Sequence, residues 1–279
     1  MTQDRDSTIG PNKPLKDLAW GLASLGCAVV RWDKVSADNN ANASNDGITL
    51  EKEYLPFSLE ALKALRNALS SEDIPIFILG HSLGGSVAPM TAHDTGSRDI
   101  KGLILLSAGA GKTYDAALKQ MRYLASLGRD PPLITVEYLV DFQKQVDVIK
   151  DPKFNLDTAS EALPLDAPTS YWMSVKAYDQ LEAARVFQGP VLIGQGGRDY
   201  QVSVGEDFET WRSALTGKKG YKSKIWDGLG HLLIGRENEK VGDREMQEEL
   251  ETPDDYAIEG HVREDVVEDI CAWMAKQSF

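Results

Sequence analysis

Few residues in this chain could staple or metallate a fold: its 279 residues include two cysteines and four histidines. Cys27 and Cys271 are too few for a disulfide framework or a structural zinc site, and no Cys-x-x-Cys occurs. There is also no His-Glu-x-x-His and no histidine pair at helical spacing, so no metal is expected. A reducing compartment, and so a cytoplasmic location, is the simpler expectation. Long hydrophobic runs are missing too. The stretch Leu18 to Val30 is apolar but interrupted by Gly21, Ser24 and Gly26, and it is too short to span a bilayer. Met1 to Asp6 is polar where a signal peptide needs an apolar stretch. Positive charge is in deficit, with 30 Lys and Arg against 43 Asp and Glu. A nucleic-acid-binding protein needs the opposite balance, because neutralising phosphates supplies most of such affinity. Between Glu237 and Asp269 there are 14 acidic and three basic residues, which reads as a solvated loop and helix face.

What remains is an ordinary globular composition, 42% hydrophobic and 26% charged, long enough for one large domain or two small ones. Asn and Asp cluster from Ala37 to Asp46 in a loop-like tract. Short apolar runs recur at Ala28 to Arg31, Ile76 to Leu79, Leu103 to Leu106, Val191 to Gly194 and Lys224 to Trp226. They are too short for helices and too continuous for half-exposed strands, so they predict five buried parallel strands. Helical spacing fills the intervals: Pro14 to Leu25, Leu59 to Leu69 with Ser58 as N-cap, Ser86 to His93, and Val266 to Met274. Alternation of this kind specifies an α/β fold, a parallel sheet with helices on both faces. From Lys112 to Arg185 the alternation stops and helical patterns take over at Tyr114 to Leu127 and Ile134 to Ile149. The expectation is a core of residues 1–111 and 186–279 with a helical cap, 112–185, over the carboxyl edge of the sheet.

The second run leads directly into Gly80-His81-Ser82-Leu83-Gly84-Gly85 and then a helix. A serine on so sharp a strand-to-helix turn sits in strained backbone, and the positions two before and two after must be small. The helix start aims amide dipoles at the turn, and the Leu83 N–H can bind an oxyanion. A nucleophilic serine needs a base, and that base needs an acid to fix its tautomer. His231, in Gly228-Leu229-Gly230-His231, follows the last strand at a carboxyl end; His81 and His93 flank the turn and its helix, and His261 reads as surface or packing. Asp199, in Gly196-Gly197-Arg198-Asp199, occupies another carboxyl end, with Asp227 as the rival acid.

The order Ser82, Asp199, His231, the Gly-His-Ser-Leu-Gly-Gly turn and the run Gly194 to Val202 resemble the α/β-hydrolase superfamily. More narrowly, Asp4-Arg5-Asp6, Ile9-Gly10-Pro11-Asn12-Lys13-Pro14 and Asp17 to Ala23 are similar to a segment of acyl-ester hydrolases, the carboxylesterases. That resemblance implies an α/β-hydrolase fold with a mostly parallel sheet, and a serine hydrolase acting on small-molecule esters of short to medium acyl groups without a cofactor. Acyl-peptide, aminopeptidase-like and thioester hydrolysis use the same residues. It also implies a strand before the Asp-Arg-Asp segment, ending in a His-Gly-Ser-Gly-type turn that supplies a second oxyanion donor. No such run precedes Asp4. The expectation is either a truncated or mis-started form or backbone N–H groups from Gln3 to Arg5 that stand in; a non-catalytic binding protein that kept the fold is the second class of reading.

Gly109-Ala110-Gly111-Lys112-Thr113 imitates a phosphate-binding loop, but Leu106 stands where the first glycine is needed. The aromatics Tyr114, Tyr123, Tyr138, Phe142, Tyr171, Trp172 and Tyr178 either line a substrate pocket or pack the cap.

Overall fold

A computed structural model describes residues 4–33, 47–94, 99–235 and 249–277. The Ala37 to Asp46 loop and much of the acidic stretch after Glu237 lie outside these residues.

Among the described residues, four parallel strands pair in the order β1 (Phe77–His81), β2 (Gly102–Leu106), β3 (Val191–Gly196) and β4 (Lys222–Trp226). β2 and β3 are buried along their whole length, as continuous apolar runs in an internal parallel sheet should be. The period of two sorts their side chains: Leu103, Leu105, Val191 and Ile193 face one core, while Ile104, Leu106 and Leu192 face the other. On the first face lie α3 (Leu83–Asp94), α7 (Gln180–Val186) and α8 (Glu209–Leu215), with Trp211 fully buried. On the second lie α1 (Pro14–Ser24) and α9 (Glu264–Gln277), with Leu18, Leu22, Val266, Ile270 and Trp273 against the sheet. Gly21 lets these two helices meet, since a Cβ there would lie 2.9 Å from Val267 Cγ2.

Between β2 and β3 the chain forms α4 (Thr113–Ser126), α5 (Val136–Lys150), α6 (Thr169–Ala177) and then α7. With α2 (Leu50–Ala68) they enclose a third core containing Tyr54, Tyr114, Phe142, Val146, Leu163 and Trp172. None of the described helices is long and apolar enough to cross a membrane.

Two expectations need correction. Residues 28–33 form no strand, because a strand needs a ladder partner and none of the described strands pairs with them. The outer edge of β1 instead faces an apolar cavity of about 480 Å³, walled by residues 26–32 on one side and by α1, α2 and α9. Helix α2 also begins nine residues before Leu59, capped by Thr49, whose Oγ1 accepts from Lys52 N at 3.3 Å. Ser58 is therefore no N-cap; it lies inside the helix and donates to Tyr54 O at 2.7 Å. Pro56 suggests a break, yet tertiary contacts override propensity: Leu50 and Tyr54 are buried in the third core and Leu50 N donates to Ser174 Oγ at 2.8 Å.

Candidate active site

Ser82 lies between the last residue of β1 and the first of α3. Its N–H continues the sheet ladder to Leu106 O at 2.9 Å, while φ of +56° turns the chain out of the strand. Positive φ is strained for a non-glycine residue and persists only where the surroundings enforce it. The Ser82 N–H to Leu106 O and Gly85 N–H to Ser82 O bonds hold it, and Gly80 permits the close approach, since a Cβ there would stand 2.2 Å from Gly84 O. Gly85 is next, with its Cβ position 2.7 Å from Ala108 Cβ. Gly84, by contrast, has open space around its Cβ position, so the requirement for a small residue falls on Gly80 and Gly85 rather than on both ends of Gly-x-Ser-x-Gly. Leu83 opens α3, so its N–H belongs to the first turn, where no intrahelical acceptor exists.

His231 and Asp199 meet. Asp199, in the loop after β3, and His231, after β4, are both buried, and His231 Nδ1 lies 2.8 Å from Asp199 Oδ2. Nδ1–H is the donor to the carboxylate, which leaves Nε2 as the acceptor. Asp199 is held in turn by the Gln201 and Val202 amides, at 2.8 and 2.9 Å on Oδ1, and by Gln195 Nε2 at 2.9 Å on Oδ2. Burial alone would lower the His231 pKa, but the charge and hydrogen bond of Asp199, with a contribution from Glu251, reverse this and raise it above the usual value. Asp227 is not on the imidazole; its described contacts are with Gly197 and, through its carbonyl, Arg263.

The residue before Ser82, His81, is in contact with this pair. The His81 and His231 rings lie 4.8 Å apart, and His81 Nε2–H donates to His231 O at 2.7 Å. Burial, then the adjacent His231, push the His81 pKa down to about 4, so this ring is neutral. Among the described residues no direct hydrogen bond joins Ser82 Oγ to His231. His93 ends α3, and His261 is exposed, paired with Asp17 at 3.2 Å.

Gln3 lies outside the described residues. The Arg5 N–H, a candidate stand-in donor, is bound to Asp33 Oδ1 at 2.8 Å, and the Asp6 N–H to Asp4 Oδ1 at 3.2 Å. The phosphate-loop imitation is likewise engaged: Ala110 N donates to Asp207 Oδ1 at 2.9 Å, and Lys112 Nζ to Tyr178 O. Of the aromatics, Tyr114, Phe142 and Trp172 are buried in the helical core, Tyr138 is exposed, and Tyr123 stacks on Tyr200 at 4.8 Å beside Asp199.

One buried carboxylate escaped the sequence reading. Glu251 sits within the acidic stretch taken as solvated surface, yet it is 4% exposed and accepts the His231 backbone N–H at 2.6 Å. Its neighbours in sequence gave no sign of this, because acidic residues surround it on both sides.

Comparison with known proteins follows the same lines. A model of the alpha/beta hydrolase family matches residues 22–244. The chain is 31% identical over 274 residues to esterase EstD of Thermotoga maritima, a match covering 98% of this chain and 59% of that protein. It thus spans less than two thirds of that relative's length. Among solved structures, Est1E from Butyrivibrio proteoclasticus with ferulic acid bound superimposes with a TM-score of 0.53 at 18% identity, covering 98% of this chain and 86% of that one. A Pyrococcus furiosus esterase gives a TM-score of 0.52 at 15% identity, covering 95% and 76%. At such identities the likeness is one of fold.

Proposed function

This chain belongs to the alpha/beta hydrolase family, and from that premise we propose that it is a serine hydrolase that cleaves carboxylic esters through Ser82, His231 and Asp199. The observation that carries the reading is the buried His231–Asp199 pair, 2.8 Å apart, adjoining the strained serine turn. The esterase name of the Thermotoga maritima relative supports the substrate class.

In the first half-reaction Ser82 Oγ attacks the ester carbonyl carbon while its proton passes to His231 Nε2. The Nδ1–H bond to Asp199 keeps Nε2 unprotonated beforehand and steadies the imidazolium afterwards. The carbonyl π electrons move onto oxygen, and the Leu83 N–H holds that oxyanion. Collapse breaks the bond to the alkoxy group, which leaves as alcohol with the proton from Nε2. Water then repeats the sequence on the acyl-enzyme, releasing the acid and restoring Ser82. Side chains and water suffice for each step, so no cofactor is invoked. Residues 112–185 act as the cap over the carboxyl edge and set the acyl pocket, with short to medium acyl groups as substrates.

The engaged Arg5 amide favours a second reading, a binding protein with an incomplete oxyanion hole. Losing one oxyanion donor lowers kcat by roughly 10²–10³-fold without abolishing nucleophilic attack. Hydrolysis of p-nitrophenyl acetate, butyrate and octanoate by the parent chain, Ser82→Ala and His231→Ala separates the two. Turnover that falls by about 10³-fold or more in both variants supports the hydrolase. Equal background rates in all three proteins support the binder.

A further inference from the structure

Glu251 is buried against the imidazole's own backbone. Its Oε1 accepts the His231 N–H at 2.6 Å and the Tyr256 hydroxyl at 2.8 Å, and Tyr256 in turn accepts from Gln201 Nε2 at 2.6 Å. The other oxygen lies so close to Gly230 that a Cβ there would come within 1.7 Å of it. The segment carrying Glu251 is strapped to the loop of Asp199: Glu251 N donates to Arg198 O, and Arg198 Nε to Glu249 O, each at 2.8 Å. From α4, Tyr123 donates to the Glu251 carbonyl at 2.9 Å. Glu251 thereby ties together the loops that deliver the acid and the base, through its backbone N–H to Arg198 O on one side and its carboxyl to the His231 N–H on the other.

An acidic residue is an expensive choice for a purely structural tie. A buried carboxylate carries a large desolvation penalty that an amide or hydroxyl of similar reach would avoid. Among the described residues, charged and titratable groups meet Glu251 from several elements: Asp199 and Arg198 from the loop after β3, His231 from the loop after β4, and Tyr123 from α4. Tyr200 and Tyr256 complete the ring, with Asp255 beyond, 3.8 Å from Arg198. Burial, then the neighbouring Asp199, push the Glu251 carboxyl up to about 7. When ionised it places a second negative charge beside His231, in surroundings where charges act strongly.

Resting on the triad reading above, we infer that Glu251 is a positioning residue for the base: it fixes the His231 backbone and, when ionised, raises the basicity of the imidazole on which the transferred proton rests. It touches neither substrate nor the migrating proton, and its effect on the reaction passes wholly through His231.

The test compares Glu251→Gln with Glu251→Ala. The amide oxygen of glutamine can keep both acceptor roles of Oε1 while the charge is gone, so the tie and the field are separated. The expected result for E251Q is a KM within about twofold of the parent, a kcat about tenfold lower, and a His231 imidazole pKa about one unit lower by NMR, the shift that a tenfold change in proton affinity represents. E251A, which also loses the tie, falls by about 10²-fold or more in kcat. Should the alanine variant lose its fold, the glutamine variant carries the test alone. A His231 pKa unchanged in E251Q, with kcat within twofold of the parent, overturns the inference and leaves Glu251 a structural tie. The NMR titration needs no turnover. An inactive parent chain would therefore sink the esterase reading while the His231 pKa still decides this one.

Discussion

Two buried side chains beside His231, Glu251 and His81, respond to pH in opposite senses, and their separation is a residue-scale test. The folded pKa of Glu251 is raised to about 7, so the native state holds its proton more tightly than the unfolded chain. Its contribution is therefore most favourable at low pH and is lost as pH rises from about 4.5 through about 7. His81 runs the other way: lowered to about 4, its contribution is present above the unfolded value and lost as pH falls from about 6.5 to about 4. The two slopes oppose each other in the parent between about pH 4.5 and 6.5. Urea denaturation of the parent minus E251Q removes the carboxyl together with its effect on His231, whose raised pKa contributes in the same sense, and the difference in stability should decline with pH over that first window. A flat difference would show that Glu251 keeps an ordinary pKa. At the same scale, Asp199→Asn should lower kcat by about 10³–10⁴-fold with the fold retained, because the imidazole loses its tautomer partner. Asp227→Asn should leave kcat unchanged, and a reversed ranking of these two variants would reassign the acid.

At the scale of elements, the serine turn depends on one glycine more than another. Gly80→Ala places a methyl carbon 2.2 Å from a backbone oxygen, so it should destabilise the chain by about 3 kcal/mol or more. Gly84→Ala has open space on α3 and should be neutral, or stabilising by up to about 1 kcal/mol. Thermal unfolding of the two variants reads this directly, and equal losses would contradict the geometry. Legibility followed the same division. β2 and β3 were readable because both their faces are apolar, and His231 and Asp199 because each follows a strand at its carboxyl end. The run Ala28 to Arg31 has the composition of a strand but no described neighbour to pair with, a long-range condition no local pattern records. Pro56 hid the first turns of α2, since burial of Leu50 and Tyr54 overrides a local breaker. Glu251 was invisible for an opposite reason, as one buried acid among many solvated ones.

Taken whole, the molecule is a parallel sheet between two helical layers, with a third helical core built over α3 and an apolar cavity along the open edge of β1. None of Ser82, Asp199 and His231 lines that cavity. Ala61 stands on its wall, 7% exposed. Ala61→Leu adds apolar volume there and should raise stability by about 1 kcal/mol, read as a higher urea midpoint at constant slope. A loss of stability would mean the wall is already close-packed. The carboxyl edge is where the central claim lies, that strand ends on one sheet assemble an activated serine. Reaction of the purified chain with a fluorophosphonate, followed by peptide mass spectrometry, tests this most directly. The account predicts a stoichiometric adduct on Ser82 in the parent, slowed by about 10³-fold in His231→Ala and absent in Ser82→Ala. An unlabelled Ser82 in the folded parent, or labelling at the same rate without His231, would contradict it.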